Sequence, residues 1–375
     1  MKKQLCLLLA LLVLQTSAKG LELSAPSALL MEKETGTVLF EKEAHKPLEP
    51  ASVTKIMTIL LTEEALDRGQ LTPETLVSAS AHACSMGGSQ IWLREREQMS
   101  VSDMLKAVCV VSANDCAVAL GEAIAGSEEA FVEQMNQRAK ELGMTDTHFE
   151  NATGLPAPGH VTSAADIALM SRELILHHPE IREYTTIWMD TLRGGASQLV
   201  NTNKLIRFYE GASGLKTGST DAARYCLSAT AEREGMELIA VVMKAPTSAQ
   251  RFADAKALLN HGFGGWRLEK VLPETMPEPV PVTLGIARQV EVTLGEGSAL
   301  LLKKTESGEL TQTVTLAESV EAPVEQGQQL GTLTVSSGEK TVAEIPLLAA
   351  EAVPRLTYLQ LLERLMRVAF LMAPR

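Results

Sequence analysis

Three short groups of residues could do chemistry together. Ser52 and Lys55 lie in 49-EPASVTKIMT-58, Ser112 and Asn114 in 108-VCVVSANDCAVAL-120, and Lys216, Thr217 and Gly218 in 214-GLKTGSTDAARYCLSATA-231. A serine hydroxyl is a poor nucleophile near neutral pH and needs a base. A lysine amine can be that base once burial has lowered its pKa. A spacing of three on a helix puts Ser52 and Lys55 on one face. A serine at a helix start also has backbone N–H groups nearby for a developing oxyanion. For this pair alone the competing reading is an N-cap serine and a lysine that reaches out to water. S-x-x-K recurs at Ser213/Lys216 and, in a hairpin turn, at Ser337/Lys340, whereas S-x-N and K-T-G each occur once. The ordered trio therefore points to one shared site, with Gly218 allowing a substrate backbone to come close. No C-x-x-C and no H-E-x-x-H occurs, so no metal and no cofactor is expected.

The elements that must position these residues can be read along the chain. Residues 27–42 read as a hairpin around Glu34-Thr35-Gly36. Residues 52–67 read as a helix, preceded by Pro50 and stopped by Gly69. Helices are expected over 101–111 and 114–125, broken at Ser112-Ala113-Asn114, where a loop can present side chains to a cleft. Further helices fit 128–142 and 163–177, the latter with Ser163 as its cap. K-T-G precedes strands expected at 225–232 and 236–244, and a helix at 248–262 follows. Near residue 270 the pattern changes: Pro273, Pro277, Pro279 and Pro281 mark a linker, and short alternating runs at 289–294, 311–316, 331–335 and 340–345 read as a small all-β unit.

Both ends of the chain differ from its body. Lys2 and Lys3 precede a short apolar run, then Thr16-Ser17-Ala18, the pattern of a secretory signal over 1–18. The competing reading is an uncleaved anchor. At the other end, 353-VPRLTYLQLLERLMRVAFLMAPR-375 places Leu359, Leu362, Leu365, Met366 and Met372 on one wide apolar face opposite Gln360, Glu363, Arg364 and Arg367. Such a helix suits the surface of a bilayer, the alternatives being packing on its own protein or dimerisation. The chain has 375 residues and a net charge of -12, which argues against a nucleic-acid partner. Cys84, Cys109, Cys116 and Cys226 read as buried free thiols. On one continuous helix, Cys109 and Cys116 would stand roughly 10 Å apart, too far to bridge.

The three motifs, with 151-NATGLPAPGHVTSAADIAL-169, resemble the serine penicillin-recognising family, and within it the low-molecular-mass D-alanyl-D-alanine carboxypeptidases. The resemblance runs from about residue 22 to about 265 and continues through the β unit and tail. It implies an α+β fold of the β-lactamase/transpeptidase kind: an antiparallel sheet with helices on both faces and a helical subdomain, then a small all-β domain and a C-terminal amphipathic helix. The division expected is 1–18 signal, 19–268 carboxypeptidase domain, 269–350 β domain and 351–375 membrane-associating helix. The resemblance makes Ser52 the nucleophile, Lys55 its base and Ser112 a proton relay helped by Lys216. Asn114, Lys216, Thr217, Gly218, Ser219 and Arg251 would bind substrate, with the oxyanion between the N–H groups of Ser52 and Ser219. The implied partners are a peptidoglycan stem peptide ending in D-Ala-D-Ala, β-lactam antibiotics and a membrane surface. The implied location is the outer face of the cytoplasmic membrane, held peripherally.

Departures from the family pattern are Ser219, where some relatives have histidine, and Arg224, where glycine is frequent. His160 reads as a structural hydrogen-bonding residue. A class A β-lactamase would need Glu-x-x-x-Asn after S-x-N. The nearest candidate, Glu150, is followed four positions on by Gly154. An endopeptidase of the same fold stays open, and the intact motif set argues against a non-catalytic β-lactam sensor or wall-binding module.

Overall fold

The computed structural model describes residues 21–371 other than 274, 296, 306, 307, 309 and 339, with side chains as far as residue 366. The expected signal segment 1–18 lies outside the described residues, as does Met372 of the tail.

The centre is a five-stranded antiparallel sheet. Its strands are β1 (Ser27–Glu32), β2 (Val38–Lys42), β3 (Ala212–Thr220), β4 (Arg224–Arg233) and β5 (Met236–Ala245), in the order β2-β1-β5-β4-β3. Alternate side chains of a strand point to opposite faces. Thus Leu29, Met31, Ile239, Val241 and Met243 enter one core, and Ala28, Leu30, Leu238, Ala240 and Val242 enter the other. Both faces are covered, which is why β1 and β5 are apolar almost throughout.

Helices α1 (Lys55–Asp67), α2 (Val101–Val111), α3 (Asn114–Ala125), α4 (Glu128–Glu141) and α5 (Ala164–His177) build the first core; α6 (Ser248–Gly265) closes the second. Residues 55–63 of α1 are buried without a break, as befits a helix surrounded by others. Ser100, Ser127, Ser163 and Thr247 accept hydrogen bonds from the N–H three residues on and so fix four helix starts. K-T-G does not merely precede a strand: it lies within β3. The four cysteines among the described residues, Cys84, Cys109, Cys116 and Cys226, are free. The premise of one continuous helix fails, because Cys109 and Cys116 sit on separate helices.

The rest of the chain has its own apolar core, including Val290, Leu333, Val335, Ile345 and Leu347. Its largest sheet is four-stranded, in the order Val292–Leu294, Lys340–Ala349, Gln329–Ser337, Leu310–Leu316. The strand Trp266–Lys270 pairs with Ala299–Lys303, so the chain enters this unit across the position expected as a boundary. Helix α7 (Tyr358–Leu371) follows. No helix among the described residues is long and apolar enough to cross a membrane.

Candidate active site

The segment before α1 is a 3-10 turn, Ala51–Thr54, and the α-helix begins only at Lys55. Ser52 therefore caps nothing through its side chain. Its hydroxyl lies 3.0 Å from Lys55 Nζ. Lys55 is fully buried and also donates to Thr153 O at 2.7 Å. Burial holds its pKa well below the ordinary lysine value; the Lys216 charge pushes the same way, and Asp115 offsets part of it. A neutral amine beside a serine hydroxyl can take its proton.

The turn is held tightly from two sides. A Cβ on Gly154 would lie 1.9 Å from Ala51 O, and one on Gly218 would lie 2.8 Å from Pro50 O and 2.9 Å from Ser52 N. Both positions must be glycine for the 151–155 loop and β3 to reach the Ser52 turn. His160 supports the turn from below. Its Nδ1 accepts the Glu150 N–H at 3.1 Å, so Nε2 carries the hydrogen donated to Thr54 Oγ1 at 2.8 Å. Burial lowers its pKa to about 4, so it stays neutral and structural.

Ser112 ends α2 in the left-handed conformation, φ 65°, and its buried hydroxyl has no hydrogen-bond partner. Asn114 opens α3. Its N–H donates to Ser89 O at 2.7 Å and its Nδ2 to Gly87 O at 2.6 Å, which fixes the amide orientation and leaves Oδ1 buried and unpaired. Both are polar atoms prepared for a ligand, since a buried group without a partner is costly.

Strand β3 carries the third group along a sheet edge. Lys216 is buried, donates to Thr217 O at 3.0 Å, and has its pKa lowered to about 7, first by burial and then by the Arg251 charge, against the opposing effect of Cys109. Thr217 Oγ1 donates to Thr202 Oγ1 at 2.7 Å. Ser219 is exposed on the same edge, one residue past Gly218. Arg251 lies behind the strand. Its Nη1 already donates to Gly218 O and Cys226 O, its Nη2 reaches Ser248 Oγ at 3.4 Å, and its Nε is buried without a partner. Arg224 has φ 54°, a left-handed angle that glycine adopts freely. A cavity of about 220 Å³ lined by Pro50, Ala51, Leu155, Pro158 and Thr220 opens beside the Ser52 turn.

Thus Ser52, Lys55, Gly218 and His160 are tied through one turn by direct contacts, while Arg251 touches β3 only from behind. Sequence reasoning missed Asp115, fully buried beside Asn114, and Thr202, partner of Thr217. It also missed Thr153, which acts through a backbone carbonyl and so left no side-chain signal. Asp115 could have been found as an acid one position past S-x-N, at the start of a helix whose one other charged residue is Glu122.

The family described as D-alanyl-D-alanine carboxypeptidase matches residues 14–247, and the penicillin-binding protein 5 C-terminal domain matches 271–355. D-alanyl-D-alanine carboxypeptidase DacF of Bacillus subtilis is 41% identical over 347 residues, spanning 91% of this chain and 89% of its own. Penicillin-binding protein 5 of Haemophilus influenzae superposes with a TM-score of 0.76 at 29% identity, over 89% of this chain and 98% of that one. Penicillin-binding protein D2 of Listeria monocytogenes, in its ampicillin-bound form, gives 0.59 at 37% identity, over 64% of this chain and 98% of that one.

Proposed function

The chain belongs to the D-alanyl-D-alanine carboxypeptidase family and is a serine peptidase of that type; from that premise we propose the following division of labour. Ser52 Oγ attacks the carbonyl of the penultimate D-alanine while Lys55 accepts its proton. The C–N bond to the last D-alanine breaks, and Ser112, helped by Lys216, relays the proton to the departing amine. Water then hydrolyses the ester on Ser52, returning the enzyme and a peptide shortened by one residue. Asn114 Oδ1 accepts an N–H of the substrate. Thr217 and protonated Lys216 hold its terminal carboxylate, with Arg251 adding positive charge from behind β3. The N–H groups of Ser52 and Ser219 face the oxyanion. The substrate lies along the open edge of β3 as an added strand.

The observation that carries this reading is the 3.0 Å contact between Lys55 Nζ and Ser52 Oγ with the lysine out of water. The substrate is a peptidoglycan stem pentapeptide ending in D-Ala-D-Ala. β-Lactams, by analogy with the ampicillin-bound relative, acylate the same serine. The family's work on the cell wall fits export by the 1–18 segment and peripheral attachment through α7 to the outer face of the cytoplasmic membrane.

The test is D-alanine release from a muramyl pentapeptide. Wild type releases it, and Ser52→Ala, verified as folded by its melting transition, does not. A folded wild type that releases none overturns the assignment.

A further inference from the structure

Trp92 is 75% exposed, more than any other large apolar side chain described outside α7. It also has φ 55°, an outlier for a bulky residue. Two unfavourable choices at one residue point to function when the surroundings enforce them, and here they do. The buried Asp115 carboxylate accepts the N–H groups on both sides of Trp92, Ile91 at 3.1 Å and Leu93 at 3.0 Å. Arg193 Nη1 donates to Ile91 O at 2.9 Å, and the Ile91 and Leu93 side chains are buried. With both neighbours pinned inward, the indole must stand out in water.

This pedestal belongs to the rim of the active site. Asp115 follows Asn114 directly, and Asn114 holds the same loop through Gly87 O and Ser89 O. A groove of about 510 Å³ runs between Gly88–Trp92 and Ala196–Leu199 and reaches Val111, next to Ser112. A ligand in the cleft that extends along this groove arrives on the indole. Beyond it, Arg94, Glu95, Arg96 and Glu97 line a second depression with mixed charge. A flat aromatic face ringed by hydrogen-bonding groups suits a sugar ring, which has C–H faces and a hydroxylated rim. The mixed charge does not suit an anionic polymer, and a single aromatic does not make an apolar docking patch.

We propose that Trp92 is a stacking subsite for an N-acetylated sugar ring of the glycan that carries the stem peptide, so that the enzyme favours polymer-attached over free peptide. The proposal rests on the carboxypeptidase reading. Its test compares wild type, Trp92→Ala and Trp92→Phe on a sugar-free N-acyl peptide ending in D-Ala-D-Ala and on pentapeptide-bearing glycan. A parallel arm measures co-sedimentation with peptide-free glycan strands.

The expected result for Trp92→Ala is unchanged kcat/KM on the sugar-free peptide. On the glycan substrate a loss of about tenfold is expected, equivalent to about 1.4 kcal/mol; it would lie in KM, with weaker sedimentation. Trp92→Phe should recover most of both. Equal losses on the two substrates would mean that Trp92 merely shapes the cleft. Unchanged glycan kinetics and sedimentation would also overturn the proposal, leaving the indole for another partner. A wild type inactive on both substrates defeats the carboxypeptidase reading instead, while the sedimentation arm still reads glycan binding.

Discussion

At the residue scale, the mechanism we propose needs two buried lysines in opposite states. Lys55 must be neutral to accept the Ser52 proton; Lys216 must be charged to hold a carboxylate. Neither forms an ion pair with a carboxylate among the described residues, so burial lowers both. Lys216, at about 7, is protonated below that pH and loses its charge above it. In the free enzyme, kcat/KM should therefore fall as pH rises through about 7, since this parameter reports groups of the unbound enzyme. Lys216→Arg keeps its charge throughout. Its profile on an N-acyl D-Ala-D-Ala peptide should lose that falling limb, at some cost in absolute rate. An arginine variant whose activity still declines near 7 would assign the limb to another group.

At the scale of the element, α1 carries a cost at its far end from the nucleophile. Glu63 is buried there with Oε1 unpaired, and its carboxyl is pushed up to about 7 by burial, with Glu180, Asp67 and Glu183 adding to the shift. Below about 4.5, the ordinary glutamate value, the acid is protonated in both folded and unfolded chains and costs nothing by this route. As pH rises from there to about 7, only the unfolded chain ionises, and stability is lost; above 7 the loss is constant. Its ceiling is on the order of 3 kcal/mol. Glu63→Gln should raise the melting temperature at pH 8 and have little effect at pH 4. An offset of equal size at both pH values would show that folding does not shift the pKa of this carboxyl. β3 is the edge strand of its sheet, and at Gly218 it runs against the turn that carries Ser52.

The whole molecule joins a catalytic unit to a β unit and a helix of unusual orientation. In α7, Arg364 donates to Gly285 O and Ile286 O, while Leu359, Leu362, Leu365 and Met366 face solvent. A helix packed for stability would turn the other way. The Listeria relative is matched over 98% of its own length by 64% of this chain. Truncation after residue 357 should therefore leave kcat/KM on a soluble peptide within about twofold, the effect of a surface change remote from the site. It should also abolish co-sedimentation with vesicles containing anionic lipid. Persistent vesicle binding by the truncated chain would move the attachment elsewhere.

Much of this was legible in sequence because it depends on local order. The helix breaks at Ser112, the Ser163 cap and the strand alternation of 289–345 follow from short-range preferences. S-x-x-K, S-x-N and K-T-G carry their meaning in residue type and order. Tertiary contact decided the rest. Ser52 sits in a 3-10 turn because Gly154 and Gly218 let two distant segments close on Ala51 and Pro50. Lys55 has the lowered pKa that the proposed base needs because folding buries it, with the Thr153 carbonyl against its amine. Asp115 matters because folding places the Ile91 and Leu93 N–H groups against its carboxylate. A sequence records which groups can titrate, stack or accept a bond; only the packed chain sets the desolvation and neighbours that determine whether they do.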